Sequence, residues 1–193
     1  MTTGAIQSIQ RAIDIHKAMV ARFEGEAPET VRAMAETIVQ AIRAGGTVYL
    51  CGNGGSAADA QHIAGELVGR FRTERRALPA VALSTDSSVL TSVANDYGYD
   101  QTFARQVEAL VGKNDVLWAL STSGVSPNVI EAVELARRRG ARVIAFTGRP
   151  DSNLEALADL CLCAEAELPA HSQEIHQLAY HIICDLVERS FTE

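Results

Sequence analysis

Apolar residues recur at helical spacing through the first 45 or so positions. Ile6, Ile9, Ile13, Met19 and Phe23 form one run, and Val31, Met34, Ile38 and Ile42 form the next. The pattern predicts two helices, the second stopped by Gly45-Gly46, and then the period changes. TVYLCG at 47–52 is a β-branched, apolar run closing on glycine, as a strand does. Further short apolar runs follow: ALPAVAL at 77–83, DVLWAL at 115–120, ARVIAF at 141–146 and DLCLCA at 159–164. Each reads as a strand buried on both faces, which need not alternate. Helical patterns around 56–69, 87–111, 127–139 and 171–190 separate them. Five strands alternating with helices predict an α/β fold, a three-layer, doubly wound, five-stranded parallel sheet. No internal repeat, low-complexity tract or linker breaks the alternation. The expectation is therefore one domain over 1–193, with helices over 1–45 as a cap or oligomer arm and the sandwich over 46–193. In such sheets ligands bind beyond the carboxyl ends of the strands, where strand order reverses.

Composition narrows the partners. The 193 residues are 47% apolar and 21% charged, an ordinary globular balance. A net charge of -7 argues against nucleic acid, which demands clustered cations. The basic runs at 70–76 and 137–142 read as solvated helix ends and loops. Cys51, Cys161, Cys163 and Cys184 have no CxxC spacing and apolar neighbours, so they read as reduced core residues. The N-terminal stretch has no continuous apolar signal region, and no run approaches a membrane span. A soluble cytoplasmic protein without a membrane partner is expected.

Two strand ends carry anion-binding chemistry. After the first strand comes Cys51-Gly52-Asn53-Gly54-Gly55-Ser56, opening a helix. Glycines let backbone N–H groups turn toward a ligand, and the helix N-terminus adds partial positive charge. The loop is weak evidence alone, because many strand-to-helix turns look like this. After DVLWAL comes Ser121-Thr122-Ser123-Gly124-Val125-Ser126-Pro127, with four hydroxyls around one glycine and proline at a helix start. A phosphate monoester suits such a nest. Capping of the helix by Ser126 would explain one serine and leave the rest of the cluster unexplained.

A second constellation carries proton and metal chemistry. His62 and Glu66 stand four residues apart on a predicted helix and so share a face. They face the same cleft as the loop if Ile63 and Leu67 pack on the sheet. The last helix brings Gln173, Glu174, His176 and His181 around a stripe of Ile175, Leu178, Ile182 and Leu186 expected to pack inward. Imidazole and carboxylate are suitable zinc donors, and glutamine is a rarer one. On a regular helix Gln173 and His181 would be roughly 12 Å apart along the axis, near the limit of two side chains meeting at one ion. Three resolutions stand open: the helix starts after Gln173, the ligands come from different subunits, or occupancy is partial. His176 is a competing ligand.

The pair CGNGGSAADAQH and STSGVSPNVIEA, with VANDYGYDQTFARQ between them, resembles the sugar isomerase (SIS) family over nearly the whole chain. The resemblance implies the SIS fold with a flavodoxin-like strand order. It also implies a small-molecule sugar phosphate held by Ser121, Thr122, Ser123 and Ser126, with Asn53, Gly54, Gly55, Ser56, Asn95, Asp96 and Gln173 lining the site. On the residues alone, Asn95-Asp96 reads better as a plain helix-ending turn. His62, Glu66 and the segment from Gln173 to His181 resemble the phosphoheptose isomerase branch. There His62, Glu66, Gln173 and His181 would hold one Zn2+ per subunit, and Glu66 and His181 would be the catalytic acid–base pair. Ala170-His171-Ser172 departs from the Arg-Ile common in that branch before the Gln-Glu pair. The implied reaction interconverts sedoheptulose 7-phosphate and D-glycero-D-manno-heptose 7-phosphate through an enediol, in a homotetramer feeding cell-envelope polysaccharide synthesis. The alternative is a non-catalytic SIS protein resembling the regulator that binds the replication initiator DnaA, whose pattern has no carboxylate at position 66. A sugar-phosphate-sensing module, or an isomerase acting on a hexose phosphate, is a further rival.

Overall fold

A computed structural model describes residues 3–192. Helix α1 spans Thr3–Glu26 and α2 spans Pro28–Arg43, with proline at the start of α2 where its missing N–H costs nothing. The sandwich then runs β1 Val48–Gly52, α3 Gly55–Val68, β2 Ala80–Ala82, α4 Ser87–Tyr97 and α5 Ala104–Leu110. It continues β3 Val116–Ser121, α6 Pro127–Arg138, β4 Arg142–Thr147, α7 Asn153–Leu157, β5 Leu160–Cys163 and α8 Pro169–Arg189. All strand pairs are parallel, in the order β2-β1-β3-β4-β5. The reversal falls between β1 and β3, so the loops leaving those two strands open side by side.

The central strands divide their side chains between two cores. Val48, Leu50, Trp118, Leu120, Ile144 and Phe146 pack under α2, α3 and α8. Cys51, Leu117, Ala119, Val143 and Ala145 pack under α5, α6 and α7. β3 is buried at every position, as a central strand covered on both faces must be. The edge strands are not: β2 leaves Val81 42% exposed, and β5 buries only Leu162 fully. Reading all five runs as doubly buried was correct only where a strand has neighbours on both sides.

Three expected elements differ. The helical pattern at 87–111 is broken: Gly98 takes φ 91, a short 3-10 turn covers Tyr99–Gln101, and α5 starts afresh. The brief α7 was not foreseen. On α8 the buried stripe is Ile175, His176, Ala179, Tyr180, Ile183, Cys184 and Val187, while Ile182 is 37% exposed. The expected stripe was rotated because His176 and Tyr180 counted as polar, although their rings are the parts that pack.

The N-terminal arm is covered over only part of its length. Met19 is buried against Ala164 and Ile175, but Ile6, Ile9 and Ile13 are 62%, 52% and 45% exposed. Among the described residues no helix is long and apolar enough to cross a membrane. All four cysteines are free, and burial pushes the thiols of Cys51, Cys161 and Cys184 up to about 12, far from the reactive thiolate range.

Candidate active site

The two loops meet through a side-chain latch. Asn53 Nδ2 donates to Asn128 Oδ1 at 2.8 Å, and Asn128 Nδ2 returns a bond to Asn53 Oδ1 at 2.9 Å. Asn128 is buried in the first turn of α6, so it carries the glycine loop onto the helix that follows the serine turn. The Tyr99 hydroxyl reaches the same Asn53 Oδ1. Gly54 and Gly55 are exposed, whereas Ser56 is buried beneath them. A side chain fits at position 55 only if Gln173 moves, because a Cβ there would stand 2.4 Å from Gln173 Nε2. The start of α8 thus lays Gln173 across the mouth of the first loop.

The serine turn is organised around Ser121. Its hydroxyl lies 3.0 Å from that of Ser126 and 3.3 Å from that of Ser123, and accepts from the Gly124 N–H at 3.2 Å. Ser126 occupies the N-cap of α6 yet makes no side-chain cap bond. Its hydroxyl faces Ser121 instead, as a ligand nest requires. Thr122 is held by its carbonyl, which accepts from the Gly148 N–H at 3.0 Å. Asn95 and Asp96 lie exposed in the last turn of α4, where Asn95 Nδ2 donates to Asp96 Oδ1 at 2.8 Å. Among the described residues no side-chain bond ties either to the loops.

At the other end of α3 the acid–base groups gather. His62, Glu66 and His181 bring one donor atom each within 4.8 Å of one another. Ile63 and Leu67 are buried as expected, but His62 and Glu66 turn toward α8, at the end of α3 away from the glycine loop whose cleft they were expected to share. His62 Nε2 lies 3.0 Å from Glu66 Oε1, and its Nδ1 lies 2.9 Å from the Tyr180 hydroxyl. The His181 ring stands edge-on to that of His62 at 5.1 Å between centroids, with Phe71 tilted over it at 5.6 Å. Burial first, then the neighbouring His62, lowers the pKa of His181 against the pull of Glu66. The shift favours the neutral imidazole. Two imidazoles and a carboxylate match the donor set of a catalytic zinc site.

Gln173 and His176 are not in this cluster. α8 is regular from Pro169, so Gln173 lies two turns before His181 and sits at the glycine loop instead. The idea that the helix begins after Gln173 is excluded. His176 is a core residue, fully buried, stacked near Phe146 and 2.9 Å from the Thr147 carbonyl through Nε2. That bond and its burial remove it as a competing ligand.

A buried ion pair braces the cluster from behind. Glu188 of α8 accepts the N–H groups of Phe71, Arg72 and Thr73 at 2.7 to 2.8 Å and faces Arg75 Nε at 3.5 Å. Burial would raise its pKa, but those three amides and the guanidinium more than offset it and hold the carboxyl below its ordinary range. Arg75 also donates to the Glu66 carbonyl at 2.8 Å. Sequence reading missed Glu188, Asn128, Tyr180 and Asp59. Only Asp59 left a signal, one turn before His62 on the same helix face. A cavity of about 680 Å3 lies between α1 and residues 165–171 and is lined by none of these groups.

Comparison with known proteins agrees in sequence and in shape. The SIS domain family matches residues 13–148. A phosphoheptose isomerase of Roseiflexus sp. is 48% identical over 192 residues, covering 100% of this chain and 95% of that protein. One of Thiobacillus denitrificans is 49% identical over 184 residues, covering 94% and 89%. The solved phosphoheptose isomerase of Francisella tularensis superimposes with a TM-score of 0.93 at 34% identity, covering 98% of this chain and 100% of the other. That of Neisseria gonorrhoeae gives 0.90 at 39%, covering 96% and 99%.

Proposed function

The chain belongs to the SIS domain family, and on that premise we propose that it is a heptose phosphate isomerase interconverting sedoheptulose 7-phosphate and D-glycero-D-manno-heptose 7-phosphate. The observation that carries the reading is the convergence of Glu66, His62 and His181 within 4.8 Å in a fold shared with phosphoheptose isomerases. Moving a hydrogen between adjacent carbons through an enediol takes a base at the C–H and a proton carrier at the oxygens. Glu66 is the base, its carboxylate oriented by His62 at 3.0 Å. His181, whose pKa burial and His62 lower, carries the proton between the two oxygens. The hydroxyls of Ser121, Ser123 and Ser126 and the amides of the turn, with Thr122, hold the phosphate. Asn53, Gly54, Gly55 and Gln173 border it, which orients the reacting end.

His62, Glu66 and His181 would hold a zinc ion, with Gln173 as a fourth ligand. Bound there, zinc would supply Lewis-acid polarisation of the substrate carbonyl. Gln173 from the same chain is two helical turns from His181, and the glycine loop and Glu66 stand at opposite ends of α3, roughly 16 Å apart along its axis. That separation favours a site shared between copies, the glycine loop, serine turn and Gln173 of one facing His62, Glu66 and His181 of another. The uncovered Ile6, Ile9 and Ile13 supply an apolar face for such an assembly, a homotetramer in this reading, working in the cytoplasm as one SIS domain per chain. The regulator alternative loses ground to the relatives and to a carboxylate at 66 that meets two imidazoles.

The test is to incubate the protein with sedoheptulose 7-phosphate in D2O and follow the sugar by NMR. Aldoheptose phosphate carrying deuterium at the transferring carbon is expected. A protein that binds the sugar phosphate but neither converts it nor exchanges its carbon-bound hydrogen would return the chain to the non-catalytic class.

A further inference from the structure

Behind the proposed metal centre lie two groups that the isomerisation scheme leaves idle. Tyr180 is fully buried, and its hydroxyl meets His62 Nδ1 at 2.9 Å. Asp59 stands one turn before His62 on α3, and its Oδ2 is buried with no hydrogen-bond partner. No bond of regular geometry joins Asp59 to Tyr180; burial raises the Asp59 pKa, and His62 and the Tyr180 hydroxyl pull it down. A buried carboxylate oxygen without a donor is costly, so its place beside a hydroxyl that can rotate calls for an explanation.

Hydrogen accounting around His62 supplies one. Without a cation, Nε2 carries the hydrogen donated to Glu66, Nδ1 is an acceptor, and the Tyr180 hydroxyl must donate to it. A cation taken by Nε2 needs that lone pair bare. The neutral ring keeps one hydrogen, which leaves Nε2 and is placed on Nδ1 through solvent exchange, with no net proton gained or lost. Nδ1 then donates, and the tyrosine oxygen must accept. Its own hydrogen is freed and needs a new acceptor. Asp59 Oδ2 is the buried atom waiting for one.

We infer that Tyr180 and Asp59 are positioning residues that set the tautomer of His62: the hydroxyl points to His62 in the empty site and turns to Asp59 when a divalent cation binds. The inference rests on the metal centre proposed above and extends it to an outer layer of the chain's own residues. Outer partners of this kind tune affinity by roughly 10–100-fold.

The experiment is a zinc titration of the full-length protein against a chromophoric chelator, for wild type, Tyr180→Phe and Asp59→Asn, alongside thermal melting. Nitrogen-15 spectra of the histidine rings in metal-free wild type and Tyr180→Phe accompany it. Tyr180→Phe keeps the buried ring and removes only the hydroxyl. The expected result is zinc affinity lower by about 10-fold or more in Tyr180→Phe, with a smaller loss in Asp59→Asn and melting temperatures close to wild type. Metal-free wild type should show His62 with hydrogen on Nε2, and Tyr180→Phe a mixture of tautomers. Equal zinc affinity in wild type and Tyr180→Phe overturns this inference alone. Should Tyr180→Phe melt far below wild type, the ring spectra of metal-free wild type decide, and hydrogen on Nδ1 there overturns it. Wild type that takes up no zinc overturns the metal centre and this inference together.

Discussion

The Tyr99 hydroxyl donates to Asn53 Oδ1 at 3.0 Å, joining the 3-10 turn after α4 to the glycine loop. Because Asn53 is also paired twice with Asn128, this one oxygen lies where three segments meet. Tyr99→Phe should loosen the loop while leaving the proton-transfer groups untouched. KM for sedoheptulose 7-phosphate is expected to rise about fivefold, the worth of one hydrogen bond, with kcat nearly unchanged. Steady-state kinetics measure both.

Glu66→Gln keeps an oxygen for the His62 N–H and removes the base. Turnover should fall by about 1000-fold while substrate binding, read by calorimetry, stays within a few fold. Isomerisation at a tenth of wild-type rate would remove Glu66 from the role of base.

If the site is shared between copies, two dead variants can repair one another. Ser123→Asp places a carboxylate in the phosphate nest, and Glu66→Gln removes the base; each alone should be inactive. Assemblies refolded or co-expressed from equal amounts of both should regain about a quarter of wild-type activity, since random mixing gives that share of sites one intact half from each copy. No recovery in verified mixed assemblies would place both halves in a single chain.

His176 makes stability depend on pH. Burial lowers its pKa from 6.5 to about 4, against the bond to the Thr147 carbonyl. The unfolded chain takes up the proton near pH 6.5, and the folded one only near 4. The contribution is therefore complete above about 6.5 and lost as pH falls toward 4, up to about 3 kcal/mol in all. Urea midpoints measured from pH 7 to 4 should fall in this window for wild type and less steeply for His176→Gln.

Gly55→Ala probes the close approach of Gln173. The added methyl would meet the far end of a flexible side chain, so stability should change by less than about 1 kcal/mol. Gln173 must swing away, and kcat/KM should drop to the level of Gln173→Ala, with the double variant no worse than either. Additive losses would mean that position 55 acts by another route.

The alternation of apolar runs and helices made the sheet and both loops legible, because each depends on residues adjacent in sequence, whereas the strand order, set by long-range pairing, was implied by resemblance. The pairing of His62 with Glu66 was legible for the same reason, being one helical turn. The approach of His181 was implied by resemblance, since nothing local brings α8 onto α3. The rotated face of α8 shows why: its orientation is set by which rings fit the core, and His176 and Tyr180 pack there although a polarity scale puts them outside. Asn128 was hidden in the same way. Its partner is 75 residues away, and an asparagine in a first helical turn looks like any other.

The brace formed by Glu188 and Arg75 ties α3 to α8 at the end remote from the sugar-binding loops. On the function proposed above, the proton-transfer groups are therefore anchored independently of the surface that would recognise the substrate. Changes in the glycine loop or the serine turn would then alter which phosphorylated sugar is accepted without detuning the distance between Glu66 and His181, so one scaffold could change its clientele and keep its chemistry.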